Sequence, residues 1–203
     1  MILKKITTAG INWAQSNLNT YEERSLCVTP TGRIISGSGG KGIWYSDDNG
    51  INWTQSNKTD RAWFSFCVTP TERILAGSTR FIWYSDDNGI NWALTNRTDN
   101  TWHSLCVTPT GRIIAGTNGD YGSHGAWYSD DNGINWALTN KTDEIWHSLC
   151  VTPTGRIIAG CDEGIWYSDP EYTAVCTKYL DQKGAQEIVT QFKAYCDNLV
   201  GGA

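Results

Sequence analysis

Trp44-Tyr45-Ser46-Asp47-Asp48-Asn49-Gly50-Ile51-Asn52-Trp53 is the stretch that decides the fold, because the chain repeats it. With Ile43 in front it forms an eleven-residue string that returns at Ile82–Trp92, and at Ala126–Trp136 with Ala in the leading place. A unit repeated at a fixed period cannot bury its apolar face alone and must stack on its neighbours. Working outward, Cys27, Cys67, Cys106 and Cys150 recur at 40, 39 and 44 residues, each followed by Val-Thr-Pro, and Trp13, Trp53, Trp92 and Trp136 recur at the same intervals.

One period reads as four strands. Trp102–Thr108 ends at Pro109; the turn Pro109-Thr110-Gly111 leads to Arg112–Gly116; a variable loop leads to Ala126–Ser129; and Asp130-Asp131-Asn132-Gly133 turns into Ile134–Leu138. Turn residues at every corner of a unit of about 40 residues are the sequence form of a propeller blade. Along the inner strand small Ser104, Cys106 and Thr108 alternate with large His103, Leu105 and Val107, which predicts small-against-large packing between blades.

The composition agrees. The 203 residues suffice for a real core, and 11 Trp with 21 Gly fit many short strands and turns. A net charge of -5 argues against nucleic acid or an anionic membrane surface as partner, and no apolar run suits membrane insertion. The start, MILKKITTAGINW, has no apolar stretch after its lysines, so the expectation is no signal peptide and synthesis in the cytoplasm, with assembly into a virion or extracellular structure. Four of the seven cysteines occupy one repeat position on different blades. They read as small buried hydrophobes in a reduced chain, with Cys161, Cys176 and Cys196 left over.

The repeated string resembles the S-x-D-x-G-x-x-W motif of the BNR/Asp-box (sialidase-type) β-propellers, matched at Ser46, Asp48, Gly50, Trp53; at Ser85, Asp87, Gly89, Trp92; and at Ser129, Asp131, Gly133, Trp136. The resemblance implies that each box is the turn between the third and fourth strands, structural and remote from the ligand face. The ends of the repeat region are incomplete boxes: Gly10-Ile11-Asn12-Trp13 is a back half, and Gly164-Ile165-Trp166-Tyr167-Ser168 a front half with Pro170 in the place of Asp. The two halves complement each other. The expected fold is therefore all-β: a small propeller over residues 1–170, of four four-stranded blades, the last closed by residues 10–16. Closure within one chain is the first reading; strand exchange between two chains, giving eight blades, is the second. Residues 171–180 read as a linker. Residues 181–200 read as an amphipathic helix, with Ala185, Ile188, Phe192, Tyr195 and Leu199 on one face, docked on the propeller or joining copies of the chain into a homo-oligomer. The stretch 178–184 is similar to helical connectors of bacteriophage tail proteins.

Function is sought where the copies differ. The second-to-third-strand loops and the blade-to-blade loops share the face opposite the boxes. Trp63, Trp102 and Trp146 recur there beside Asn, Asp and Thr, which suits stacking on sugar rings; the competing reading is that they plug the space between blades. The loop Thr117–Gly125 outgrows its equivalents and contributes Tyr121 and His124; His103 and His147 stand at strand entries. A sialidase-like centre would need converging arginines, but Arg33, Arg73, Arg112 and Arg156 hold one repeat position around a ring. No catalytic, metal-ligand or cofactor set is expected. The sequons at Asn52, Asn57, Asn96 and Asn140 read as turn residues. The reading is a non-catalytic module for a glycan or cell-surface ligand, as part of a phage tail or similar assembly; the alternatives are a sialidase-like glycoside hydrolase and an assembly protein joined through its C-terminal helix.

Overall fold

In the computed structural model, residues 13–18, 22–98, 100–119 and 124–170 are described. They form fifteen strands in four antiparallel sheets, each a simple meander. The first holds β1 (Glu23–Val28), β2 (Ile34–Ser38), β3 (Ile43–Ser46) and β4 (Thr54–Gln55); the second β5 (Trp63–Val68), β6 (Ile74–Ser78), β7 (Phe81–Ser85) and β8 (Ala93–Thr98). The third holds β9 (Trp102–Val107), β10 (Ile113–Thr117), β11 (Ala126–Ser129) and β12 (Ala137–Leu138), and the fourth β13 (Trp146–Val151), β14 (Ile157–Cys161) and β15 (Gly164–Tyr167). These are four blades at the repeat spacing. Their inner strands pack in series, β1 on β5, β5 on β9 and β9 on β13. The Val-Thr-Pro ends of all four surround one basin of about 650 Å³.

Three Asp-boxes make the outer turns, and their chemistry explains why the motif tolerates so little change. In the first, Ser46 Oγ donates to Asp48 Oδ1 at 2.9 Å and accepts from the Gly50 N–H at 2.9 Å. Asp48 accepts from the Asn52 N–H at 2.8 Å and from Asn52 Nδ2 at 2.7 Å, while Trp53 Nε1 donates to the Gly50 carbonyl at 2.9 Å. The boxes at Ser85–Trp92 and Ser129–Trp136 repeat the bonds. Asn49-Gly50 and its equivalents hold positive φ at both residues, the conformation Asn and Gly adopt at least cost.

Adjacent blades meet through one layer of side chains. Each blade presents a large-residue face to the blade before it and a small-residue face to the blade after it. Between the first and second blades, Trp63, Phe66, Ile74, Trp83 and Trp92 pack on Cys27, Ile35, Ile43 and Tyr45; between the second and third, Trp102, Leu105 and Ile113 pack on Cys67, Leu75 and Ile82. The expected alternation is modified by a bulge. The register shifts between Trp63 and Ser65, so Trp63 joins Phe66 on one face despite odd spacing, and the same shift occurs at Trp146. Glycine makes the approach possible: a Cβ on Gly37 would lie 2.7 Å from Trp63 Cβ, one on Gly77 2.5 Å from the Trp102 carbonyl oxygen, and one on Gly116 2.7 Å from Trp146 Cβ. Burial also leaves the Cys67 thiol well above its ordinary pKa and pushes those of Cys27 and Cys106 to about 12, so these cysteines act as packing groups.

Among the described residues the expected closing strand is not seen. The fourth sheet has three strands, residues 13–18 pair with none of them, and among the described residues no comparable packing joins β13 to β1. Asn17 shows why. Its N–H donates to the Ile51 carbonyl at 3.2 Å, its Nδ2 to Asn52 Oδ1 at 3.3 Å, and its Oδ1 accepts from the Trp53 N–H at 3.0 Å. The segment is thus anchored on the first blade's box, as Asn57 is anchored on the second blade's box by the Ile90 carbonyl and the Trp92 N–H. The linker 171–180, the helix 181–200 and the half-box residues 10–12 lie outside the described residues.

Two measurements test this scaffold. Leu75→Ala, at a fully buried side chain, is expected to lower unfolding free energy by about 2–5 kcal/mol in urea titration. The hydrogen bonds that Asn52 and Asn135 donate hold Asp48 and Asp131 below the ordinary 3.8. A carboxyl with a lower pKa folded than unfolded contributes stability that is complete above the unfolded value and lost as pH falls through the folded one. The urea midpoint is expected to hold steady from pH 7 to about 5 and to fall below 3.8, with a shallower fall in Asp131→Asn.

Candidate recognition face

The two faces of the blade array differ in kind. The lower face holds the boxes and the Pro-Thr turns, nearly identical from blade to blade. The upper face, where inner strands begin and β2–β3-type loops end, holds the positions that differ: Arg24, Phe64, His103 and His147 are equivalents. The side chains of the first three form a row across blade boundaries. The Arg24 guanidinium lies 5.1 Å from the Phe64 ring centre, and the Phe64 and His103 rings stack at 4.6 Å with 17° between planes. His103 Nε2 lies 3.1 Å from Asn118 Nδ2, and His147 Nε2 lies 2.6 Å from Asp162 Oδ1. Glu22 Oε2 accepts from Arg24 Nη2 at 3.2 Å. Phe64 and His103 are half-buried, while Arg24 and His147 are exposed. A flat ring pair flanked by a guanidinium, an amide and a carboxylate can stack on one side of a ligand and hydrogen-bond at its edges.

His103 and His147 therefore stand where a ligand could meet them. His124 is half-buried and folds onto its own loop, where a Cβ on Gly119 would lie 2.0 Å from its Nδ1. Tyr121 lies outside the described residues. The tryptophans are a correction: Trp63 and Trp102 have no exposed surface and Trp146 has 2 %, so these indoles fill the blade interfaces and offer no platform to a ligand. Magnitudes explain the outcome. Burying an indole is worth roughly 4–6 kcal/mol by area. That exceeds the cost of about 1–3 kcal/mol for the Trp102 and Trp146 N–H groups that find no partner. Trp63 Nε1 escapes even that cost by donating to the Asp60 carbonyl at 2.9 Å.

Sequence reading missed the work of the arginines. Arg33, Arg73 and Arg112 each make a two-pronged pair with the first Asp of their own box, Asp47, Asp86 and Asp130, at 2.6–2.8 Å. Arg33 and Arg73 also donate to the Asn88 and Asn132 carbonyls of the following blade at 3.1 Å, and both lie over a tyrosine ring of their own blade, Tyr45 and Tyr84. The hydrogen bond from Arg33 holds Asp47 below its ordinary pKa. These are clamps between blades, legible only as a repeated position in sequence. Among the described residues no group of three or more His, Cys, Asp or Glu could hold a metal ion, and no helix is long and apolar enough to cross a membrane.

Comparison with known proteins settles the repeat. The BNR/Asp-box repeat model matches residues 44–55, 83–94 and 127–138. The chain carries three BNR/Asp-box repeats. The model spans the third strand, the box turn and the start of the fourth strand in each complete blade. Among solved structures, the chain is similar to the extracellular domain of a proposed one-component system from B. thetaiotaomicron (15% identity, TM-score 0.62, covering 80% of this chain and 23% of that one). It is also similar to an ancestral GH74 enzyme (19%, TM-score 0.62, 72% and 22%) and to the computationally designed Ika4 protein (10%, TM-score 0.57, 75% and 95%). The chain thus spans about a quarter of the length of the first two, and at these identities the likeness is one of fold. No curated protein matches, and the comparisons give no support to the likeness of residues 178–184 to phage tail connectors.

The clamp can be tested apart from any ligand. Arg73→Ala is expected to cost about 1–3 kcal/mol of stability through its charged hydrogen bonds, read as a lower urea midpoint, with ligand affinity unchanged.

Proposed function

We propose that this protein is a non-catalytic recognition module that takes a glycan, free or displayed on a cell surface, on its upper face. One observation carries the reading: the Arg24–Phe64–His103 row, a stack of flat groups across three blades at a repeat position where scaffold uniformity gives way to chemical variety. Sugar C–H groups pack along the edges of these stacked rings, and hydroxyls find Asn118, Asp162 and Arg24 around them. Several shallow contacts of this kind gain strength by being presented together on one rigid array.

Binding is favoured over hydrolysis by how the carboxylates are used. A glycosidase sets two carboxyl groups across the scissile bond. Here Asp48, Asp87 and Asp131 are spent inside box turns, Asp47, Asp86 and Asp130 on arginines, Asp162 on His147 and Glu22 on Arg24.

A glycan array probed with the intact chain is the test. Phe64→Ala and His147→Ala are expected to weaken the strongest glycan at least ten-fold, with the melting temperature of His147→Ala unchanged. Trp102→Ala is expected to abolish binding only by unfolding the chain, losing about 3–5 kcal/mol. Retained affinity in both upper-face variants overturns the site, and turnover of a fluorogenic glycoside overturns the non-catalytic reading.

A further inference from the structure

The three blade interfaces show what a complete one contains, and two blade faces lack it. Gly160 is the equivalent of Gly37, Gly77 and Gly116, each crowded by the next blade's tryptophan; a Cβ on Gly160 would meet none of the described residues within 4 Å. On the same face Ile165 is 78 % exposed, whereas Ile43 and Ile82 at its place are fully buried. At the other end, Leu26 is 63 % exposed, whereas its equivalents Phe66 and Leu105 are buried. Among the described residues, one end of the array is thus an uncovered small-residue face and the other an uncovered large-residue face, matching the two sides of the internal seams except at Glu23, which replaces the tryptophan.

The cavity between the third and fourth blades says the same. It measures about 470 Å³, and its walls include Ile114, Trp146, Leu149 and Ile157. These are the equivalents of Ile35, Trp63, Phe66 and Ile74, the residues that surround the box Gly89-to-Trp92 segment between the first two blades. The cavity is the slot of a box tryptophan that the fourth blade lacks. Trp13, the one box tryptophan not preceded by a box front half, is 87 % exposed, and Asn17 holds its segment against the first blade's box, pointing it toward whichever blade stands before the first.

We propose that a second copy of this chain supplies that blade: two chains join head to tail, each placing Trp13 in the other's cavity and its first blade against the other's Gly160 face, to close one ring through two identical seams. Such a contact closes on itself and leaves neither face exposed. The proposed seam differs from the internal ones at one place: Glu23 stands where Trp63, Trp102 and Trp146 stand, its carboxylate accepting a hydrogen bond from Ser36 Oγ of its own blade. A polar pair at that place keeps the unjoined edge soluble.

The test is solution mass of the full chain by light scattering and native mass spectrometry. The expected mass is twice the 22.5 kDa of one chain. Gly160→Trp, which meets none of the described residues of its own chain, is expected to halve the mass with the far-ultraviolet spectrum retained. Leu26→Glu, on the opposite face, is expected to do the same, and Trp13→Ala to weaken association at least ten-fold. Mixing Gly160→Trp with Leu26→Glu leaves one intact seam and is expected to restore pairs at higher concentration, which a merely unfolded variant could not do. A wild-type chain of single mass at tens of micromolar overturns the proposal. So does a double mass that Gly160→Trp and Leu26→Glu both leave unchanged, since the copies would then be joined elsewhere.

Discussion

Everything in this molecule depends on a tryptophan of one blade lying against a glycine of the blade before it. The Trp63 Cβ lies on Gly37, the Trp102 backbone on Gly77 and the Trp146 Cβ on Gly116, at distances that leave no room for a methyl group. That approach lets the box tryptophan slide into the same layer, so that Trp63 and Trp92 stand 6.4 Å apart and Trp102 and Trp136 6.3 Å apart. Packing at crystal-like density makes such layers intolerant of added or missing volume. The same constraint removes the tryptophans from any binding role, because a ring that sets blade spacing cannot also face solvent.

Around that layer the molecule divides its polar groups by place. The lower face uses its carboxylates and arginines on itself. Box aspartates accept turn N–H groups, and the arginines tie each blade to its own box and, at Arg33 and Arg73, to the next blade's backbone. The upper face carries the differences between copies. Repetition secures the scaffold, and departure from repetition supplies the chemistry, which is why Arg24, Phe64, His103 and His147 matter more than the far more numerous identical positions.

Much of this was legible in the sequence. Four strands per period, the turn role of Ser46, Asp48, Gly50 and Trp53, and the strand limits in the third blade follow from turn residues and spacing, which act within a few residues. The burial of Trp63 was open between two readings, because an indole at a strand entry looks the same whether a neighbouring blade covers it or not. The bulge that puts Trp63 and Phe66 on one face could not be read from an alternating pattern. The stack of Phe64 on His103 joins residues on different blades, and the arginine bonds to Asn88 and Asn132 cross the same boundaries.

The sequence by itself determined the blade: its strands and its box turns, because each is held by contacts between residues no more than 17 positions apart, as at Phe81 and Thr98. Only the tertiary structure decided which aromatic rings face solvent and which faces are left unmatched among the described residues, at Gly160 and beside Trp146. Those outcomes depend on how successive blades are placed side by side. That placement comes from the volumes meeting in each layer, summed over residues some 40 positions apart in the chain.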